Sequence, residues 1–190
     1  MEPKELILAA SDAARQEGLA WYGEANQFAR RLAKTYGYSI EQVAAVIAAL
    51  SPGVPWHKNK ADANTVVSAH RYGLGPTDVT TNSYRSQARK AFAILGTRAD
   101  PYQLLGTVKA PKTKAFYRSI IDPDSDEVVI DRWMIRALTG NQAASRVTLK
   151  QYRALSEKVR AAAKELGLTP SQAQAIIWCE ARKEKDVRSD

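Results

Sequence analysis

A chain of 190 residues, 45% hydrophobic and 25% charged, is long enough for one compact core, and nothing in its composition forces a second domain. Its 28 Lys and Arg against 20 Asp and Glu give a net charge of +8 and a pI near 9.6, which favours a polyanionic partner. One cysteine excludes an internal disulfide, and two histidines beside it exclude a Cys/His-rich zinc site, so the expectation is a reducing compartment with no metal and no cofactor. The longest apolar run, VAAVIAAL at residues 43–50, is far short of the ~20 residues a membrane helix needs. The opening MEPKELILAASDAARQEG lacks the apolar stretch of a secretory signal, and the chain reads as a cytoplasmic monomer with no membrane partner.

In chain order, Pro3 opens an Ala-rich helical pattern that the sequence ends near Gly18. A second helix is expected over residues 20–36, with Trp21, Ala25, Phe28 and Leu32 on one face and Gly37 as its stop. Ser39 and Gln42 form a capping-box pattern before the all-apolar run to Leu50, which marks a central helix. Ser51-Pro52-Gly53-Val54-Pro55 ends it, and the next helix runs from Trp56 to about His70. Residues 71–83 are turn-rich, residues 84–95 helical, and Asp100-Pro101 caps a short helix to about Leu105. After the segment discussed below, Thr148/Gln151 and Thr169/Gln172 repeat the capping-box pattern, opening helices that end near Gly167 and Lys183. Residues 183–190 read as a frayed tail. With residues 128–130 as the one strand candidate, the fold class is all-α.

Chemistry concentrates in residues 108–138. Lys109, Lys112, Lys114 and Arg118 come with no acid between Lys109 and Ile121, a pattern that suits phosphate contact and equally the solvated face of a helix. Either Lys112 or Lys114 is also a candidate nucleophile for an imine, should its surroundings suppress its charge. After the acidic loop 122–127 and the run Val128-Val129-Ile130, Asp131 stands where a helix starts. A carboxylate there either stabilises charge developing on a substrate or activates water, or is an ordinary N-cap; one residue can do both. A second cluster, Trp56, Lys58, Asn59 and Lys60, gathers a ring, an amide and two cations at a helix start, suited to stacking on a base and holding a phosphate, or to a core ring and a helix-start amide. Trp21, Trp133 and Trp178 read as core rings, His57 as a solvated loop histidine, and Cys179 as a buried small hydrophobe.

The order of these parts resembles the helix-hairpin-helix (HhH-GPD) DNA glycosylases: an apolar helix, a Ser/Pro turn with Trp and Asn behind it, a basic helix, a turn Lys112-Thr113-Lys114-Ala115, and Val128-Val129-Ile130-Asp131-Arg132-Trp133. Members carry a hairpin of the form L-P-G-x-G-x-K-T-A and, later, a V-x-V-D-T-H-like segment; here Ala115 lies 16 residues before Asp131, close to the family spacing. The hairpin departs from the pattern. Its two glycines fall on Lys109 and Pro111, its lysine falls on Thr113 with Lys112 and Lys114 on either side, and the four-cysteine iron–sulfur loop of some members is absent. Lys112-Thr113-Lys114-Ala115-Phe116-Tyr117 and Ile130-Asp131-Arg132-Trp133 are similar to a divergent bacteriophage branch, glycosylase-like proteins proposed to act in thymine hypermodification.

The resemblance implies a single helical domain of 190 residues, with a core over about residues 20–182 and two lobes flanking a cleft. It implies DNA as partner, contacted by Lys109, Thr113, Arg118, Trp56, Lys58, Asn59, Lys60, Arg132 and Trp133, with Asp131, Lys112 and Lys114 as catalytic candidates. The expected reaction is N-glycosidic cleavage at a base, modified or not, flipped out of the stack. Alternatives are a phage transferase that replaces an activated group on a hydroxymethylated pyrimidine, using a small amine or amino-acid donor, and a non-catalytic DNA-binding module of the same fold. For a phage protein the compartment would be the bacterial host cytoplasm.

Overall fold

The computed structural model describes residues 1–106 and 110–186, and among these it is all helical, with no strand. Ten helices follow in order: α1 Pro3–Ala9, α2 Asp12–Tyr36, α3 Ile40–Leu50, α4 Trp56–Arg71, α5 Arg85–Gly96, α6 Pro101–Leu104, α7 Pro111–Ile121, α8 Arg132–Thr139, α9 Leu149–Glu165 and α10 Pro170–Asp186. The chain forms two compact units. One takes Met1–Glu24 together with the described residues from Asp122 onward; the other is Ala25–Ile121. Among the described residues no helix is long and apolar enough to cross a membrane.

The 25–121 unit is built on α3. Every side chain from Val43 to Leu50 is buried, because helices α4, α5, α6 and α7 all pack on it. The Ala, Val, Ile and Leu side chains of residues 43–50 leave no polar face to present to water, as the sequence predicts. Two asparagines close helix ends in this unit. Asn26 on α2 donates to the carbonyls of Ile120 and Ile121 at the end of α7, at 2.8 and 3.0 Å, while its oxygen accepts from Arg30. Asn59 on α4 donates to the Ile47 carbonyl in the last turn of α3 at 3.1 Å. Terminal carbonyls have no partner within their own helix, so a buried helix end needs such donors.

The other unit packs α10 against α1, α8 and α9 around Ile7, Met134, Ile135, Val159, Ile176 and Ile177. Ile7 is fully buried, so the core begins well before residue 20, the boundary expected from sequence. Residues 128–130 are buried but are not a strand: among the described residues no second segment pairs with them. The Tyr152 hydroxyl takes the place of a partner strand: it donates to the Val128 carbonyl at 2.8 Å and accepts from the Ile130 N–H at 3.3 Å.

All three capping boxes form. Ser39 and Gln42, Thr148 and Gln151, and Thr169 and Gln172 exchange side-chain and backbone bonds as their spacing requires. The first helices differ from expectation. The helical run breaks at Ala10, whose backbone is extended, and Ser11 restarts it, its Oγ accepting from the Ala14 N–H while Glu180 accepts from its backbone and hydroxyl. From there α2 runs without a stop through Gly18. That glycine is a packing residue: a Cβ there would lie 2.6 Å from the backbone N and Cα of Ile176 on α10. At the other end α10 continues through Asp186, past the expected fray at residue 183, and residues 187–190 fall outside the described residues.

Gly18 and Gly23 lie in the same helix, and around Gly23 a Cβ would meet nothing within 4 Å. Gly18→Ala is therefore expected to lower stability by about 1–3 kcal/mol through overpacking against backbone that cannot yield. Gly23→Ala is expected to raise it by roughly 0.5–1 kcal/mol by removing a helix-interior glycine. Urea unfolding of the two variants checks the opposite signs.

Candidate functional site

Asp131 sits between the buried run 128–130 and α8, and its extended backbone makes it the N-cap of that helix. One carboxylate oxygen, Oδ1, accepts from the backbone N–H groups of Trp133 and Met134 at 2.9 and 3.0 Å. The other, Oδ2, accepts from the indole Nε1–H of Trp178 on α10 at 3.0 Å. The cap and the oriented carboxylate are one residue. With both oxygens engaged by groups of fixed position, the side chain has a defined orientation, and Oδ2 retains a lone-pair position for a further partner.

Trp178 is itself clamped. Its ring packs on Trp21 with centroids 4.7 Å apart, and the Arg182 guanidinium lies 4.5 Å from its centroid. Arg182 in turn pairs with Glu17 on α2. Sequence reading takes Trp178 as a core ring, whereas the structure gives it a polar task at a half-buried site. The 47 residues separating it from Asp131 carry no local signal of that bond. Nearby on α8, Trp133 is half-buried with Arg136 stacked at 5.3 Å, and Arg132 is exposed.

The lysine-rich stretch belongs to the other unit. Lys109 lies outside the described residues. Lys112, Thr113 and Lys114 are partly exposed on the first turns of α7, and Arg118 is exposed one turn later. The Lys114 ammonium sits 4.3 Å and the Arg118 guanidinium 4.7 Å from the ring of Tyr102 on α6, cation–π contacts that hold both side chains while keeping their charge. Among the described residues, neither Lys112 nor Lys114 has an acidic partner. These are cations available to an external anion.

The cluster around residue 56 divides. Trp56 is half-buried, edge-on to Phe28 and Phe116, with the Lys60 ammonium 5.5 Å from its ring; Lys58 is exposed. No side chain caps α4, so the amide groups of its first turn remain available beside these cations. Asn59 differs from the rest of the cluster: it is 1% exposed, and its side-chain NH2 donates to the end of α3 rather than facing outward beside the lysines. His57 is exposed and Cys179 buried, as their neighbours suggest.

A family model, Family of unknown function (DUF7178), matches residues 5–185. The chain belongs to that family. No curated protein and no solved structure matches the chain. The family's span takes in the Asp131–Trp178 pair, the cations of α7 and the turn before α4 alike. Among the described residues no group of three His, Cys, Asp or Glu side chains is arranged to hold a metal.

Removing the indole N–H while keeping a ring isolates the Asp131 contact. Trp178→Phe is expected to cost about 1–2 kcal/mol, because the lost bond is to a charged acceptor. A double-mutant cycle with Asp131→Ala should show the two losses to be non-additive; additive losses would mean that the bond contributes nothing.

Tyr152 gives a pH signature for the same segment. Burial is the main cause that pushes its phenol up to about 12 from its ordinary value of 10.0. The folded state therefore holds the proton that the unfolded chain releases, so this contribution is complete below pH 10 and falls away as pH rises from 10 towards 12. Tyr152→Phe should lose stability at neutral pH and show a shallower decline across that alkaline window. Unfolding measured from pH 8 upward tests it.

Proposed function

We propose that the chain is a DNA-binding enzyme of helix-hairpin-helix glycosylase type that acts on a base in DNA by cleaving its N-glycosidic bond. The observation that carries this reading is Asp131, a carboxylate at a helix start, held by three donors and retaining an accepting position. As the bond from sugar to base breaks, the bonding pair leaves with the base and positive charge grows on the sugar. A fixed carboxylate stabilises that charge without having to reorganise, and water then adds to the sugar carbon and loses its proton. Lys112, Thr113, Lys114 and Arg118 are the proposed phosphate contacts, joined by Lys58, Lys60 and the uncapped start of α4. Arg132 and Trp133, adjoining Asp131, are proposed to contact the flipped nucleotide, whose extraction costs a few kcal/mol.

A second reading has one specific support. Where the glycosylase hairpin has glycines this chain has Lys109 and Pro111, and where it has its lysine this chain has Thr113. The stretch Lys112-Thr113-Lys114-Ala115-Phe116-Tyr117 that stands there instead resembles the phage branch, and that resemblance favours group transfer to an activated pyrimidine, with an amine or amino acid as incoming group and the sugar bond intact. Lys112 or Lys114 would there be the candidate for imine chemistry.

Asp131→Asn keeps a capping oxygen, since Asn caps about as well as Asp, but removes the charge. It is expected to abolish the base-directed reaction while leaving salt-sensitive DNA binding in place; full activity in this variant would remove Asp131 from the mechanism. Lys112→Ala with Lys114→Ala should weaken DNA binding and reduce the slope of log affinity against log salt by roughly 2, about one per lost phosphate contact. An unchanged slope would put the DNA surface elsewhere.

A further inference from the structure

The 25–121 unit holds a pocket of about 300 Å³ that the reading above does not use, between the 76–83 loop and the first turns of α5. Arg85 and Arg89, four residues apart and so on one face of α5, both line it. Neither has an ion pair or hydrogen bond among the described residues, and no acid is part of the lining. Thr77 and Thr80 supply hydroxyls and Val79 an apolar wall. Ser83 adds a second, independent sign: the residue is 8% exposed, it lines the pocket, and its Oγ is buried without a hydrogen-bond partner. Such a group is costly unless something completes it. Helix α5 has no side-chain cap, so the donors of its first turn add to the same field.

The wall is fixed from behind. Asp62, 2% exposed on α4, accepts from the backbone and side-chain N–H groups of Asn82 at 2.9 and 2.8 Å and from the Ser83 N–H at 2.9 Å. Its carboxylate is spent on holding the loop against α5. The outcome is a concavity whose two arginines have no ion-pair partner among the described residues, an arrangement suited to tetrahedral oxyanions because guanidinium groups match their geometry. Its volume exceeds that of phosphate alone and is at the lower end for small-molecule sites.

We propose that this pocket binds a phosphate group together with the small organic group it esterifies, Arg85 and Arg89 gripping the oxyanion and Val79 contacting the organic part. A free mononucleotide and the phosphorylated end of a DNA strand share that chemistry. The site does not depend on the reading of Asp131.

Amide NMR of the full chain, titrated with inorganic phosphate and then with a deoxynucleoside 5′-monophosphate, tests it. Shifts centred on residues 76–89 are expected, with the nucleotide binding more tightly than phosphate. Arg85→Gln with Arg89→Gln should weaken both by about tenfold or more without moving the unfolding midpoint, since charge-assisted bonds are lost and no internal contact is. Arg153→Gln, an exposed cation on α9, should leave both unchanged. Displacement of the nucleotide by a 5′-phosphorylated oligonucleotide, and not by its unphosphorylated form, would assign the site to strand ends; failure of both to displace would assign it to free nucleotides. No shifts, shifts centred elsewhere, or undiminished affinity in the double arginine variant would overturn the proposal.

Discussion

Residues 128–130 are buried, and among the described residues no strand takes their backbone hydrogen bonds. That constraint governs the unit containing them. Buried amides and carbonyls without partners cost about 1–3 kcal/mol each, so side chains from other helices must supply them. Tyr152 of α9 serves Val128 and Ile130 on one side, and Asp131 turns to serve the first amides of α8 on the other. Trp178 of α10 completes the carboxylate. Three helices are thereby referenced to one short segment, and the same bonds that satisfy the backbone hold the carboxylate in one orientation.

The second unit solves a related problem differently. Its centre is the wholly apolar run 43–50 of α3, and its neighbours must cover it while their own ends stay satisfied. Buried asparagines do this at α3 and α7, and a buried aspartate does it for the loop before α5. Since those polar groups are consumed internally, Arg85 and Arg89 on α5 and Lys112 and Lys114 on α7, which have no acidic partner among the described residues, are available to external anions. The surplus of 28 cations over 20 acids therefore has specific places where it is uncompensated.

Local signals were legible in the sequence. The three capping boxes, the Asp131 cap, the Pro-punctuated end of α3 and the all-helical class follow from residues within a few positions of one another, and physics acting over that range needs no tertiary knowledge. What failed was whatever depended on a distant partner. Gly18 reads as a stop, yet it is glycine because Ile176 passes too close for a Cβ. Asn59 reads as a base-reading or helix-start amide beside two lysines, yet it donates to the end of α3. Trp178 reads as core filling, and its bond to Asp131 has no trace in either residue's neighbourhood. The β-branched run 128–130 carries a strand's composition without a strand's partner, which only the placement of Tyr152 explains.

The most direct test of the central claim is mass spectrometry of DNA after incubation with the protein. The substrates would be unmodified DNA, DNA bearing uracil, oxidised or alkylated bases, and DNA bearing hydroxymethyluracil in free and phosphorylated forms, each with and without a mixture of amines. Release of a free base from at least one substrate, leaving an abasic site, is the result that a fixed Asp131 carboxylate predicts. A mass gain on the nucleoside with its sugar bond intact would contradict cleavage and establish transfer, and unaltered DNA throughout, alongside measurable binding, would contradict both.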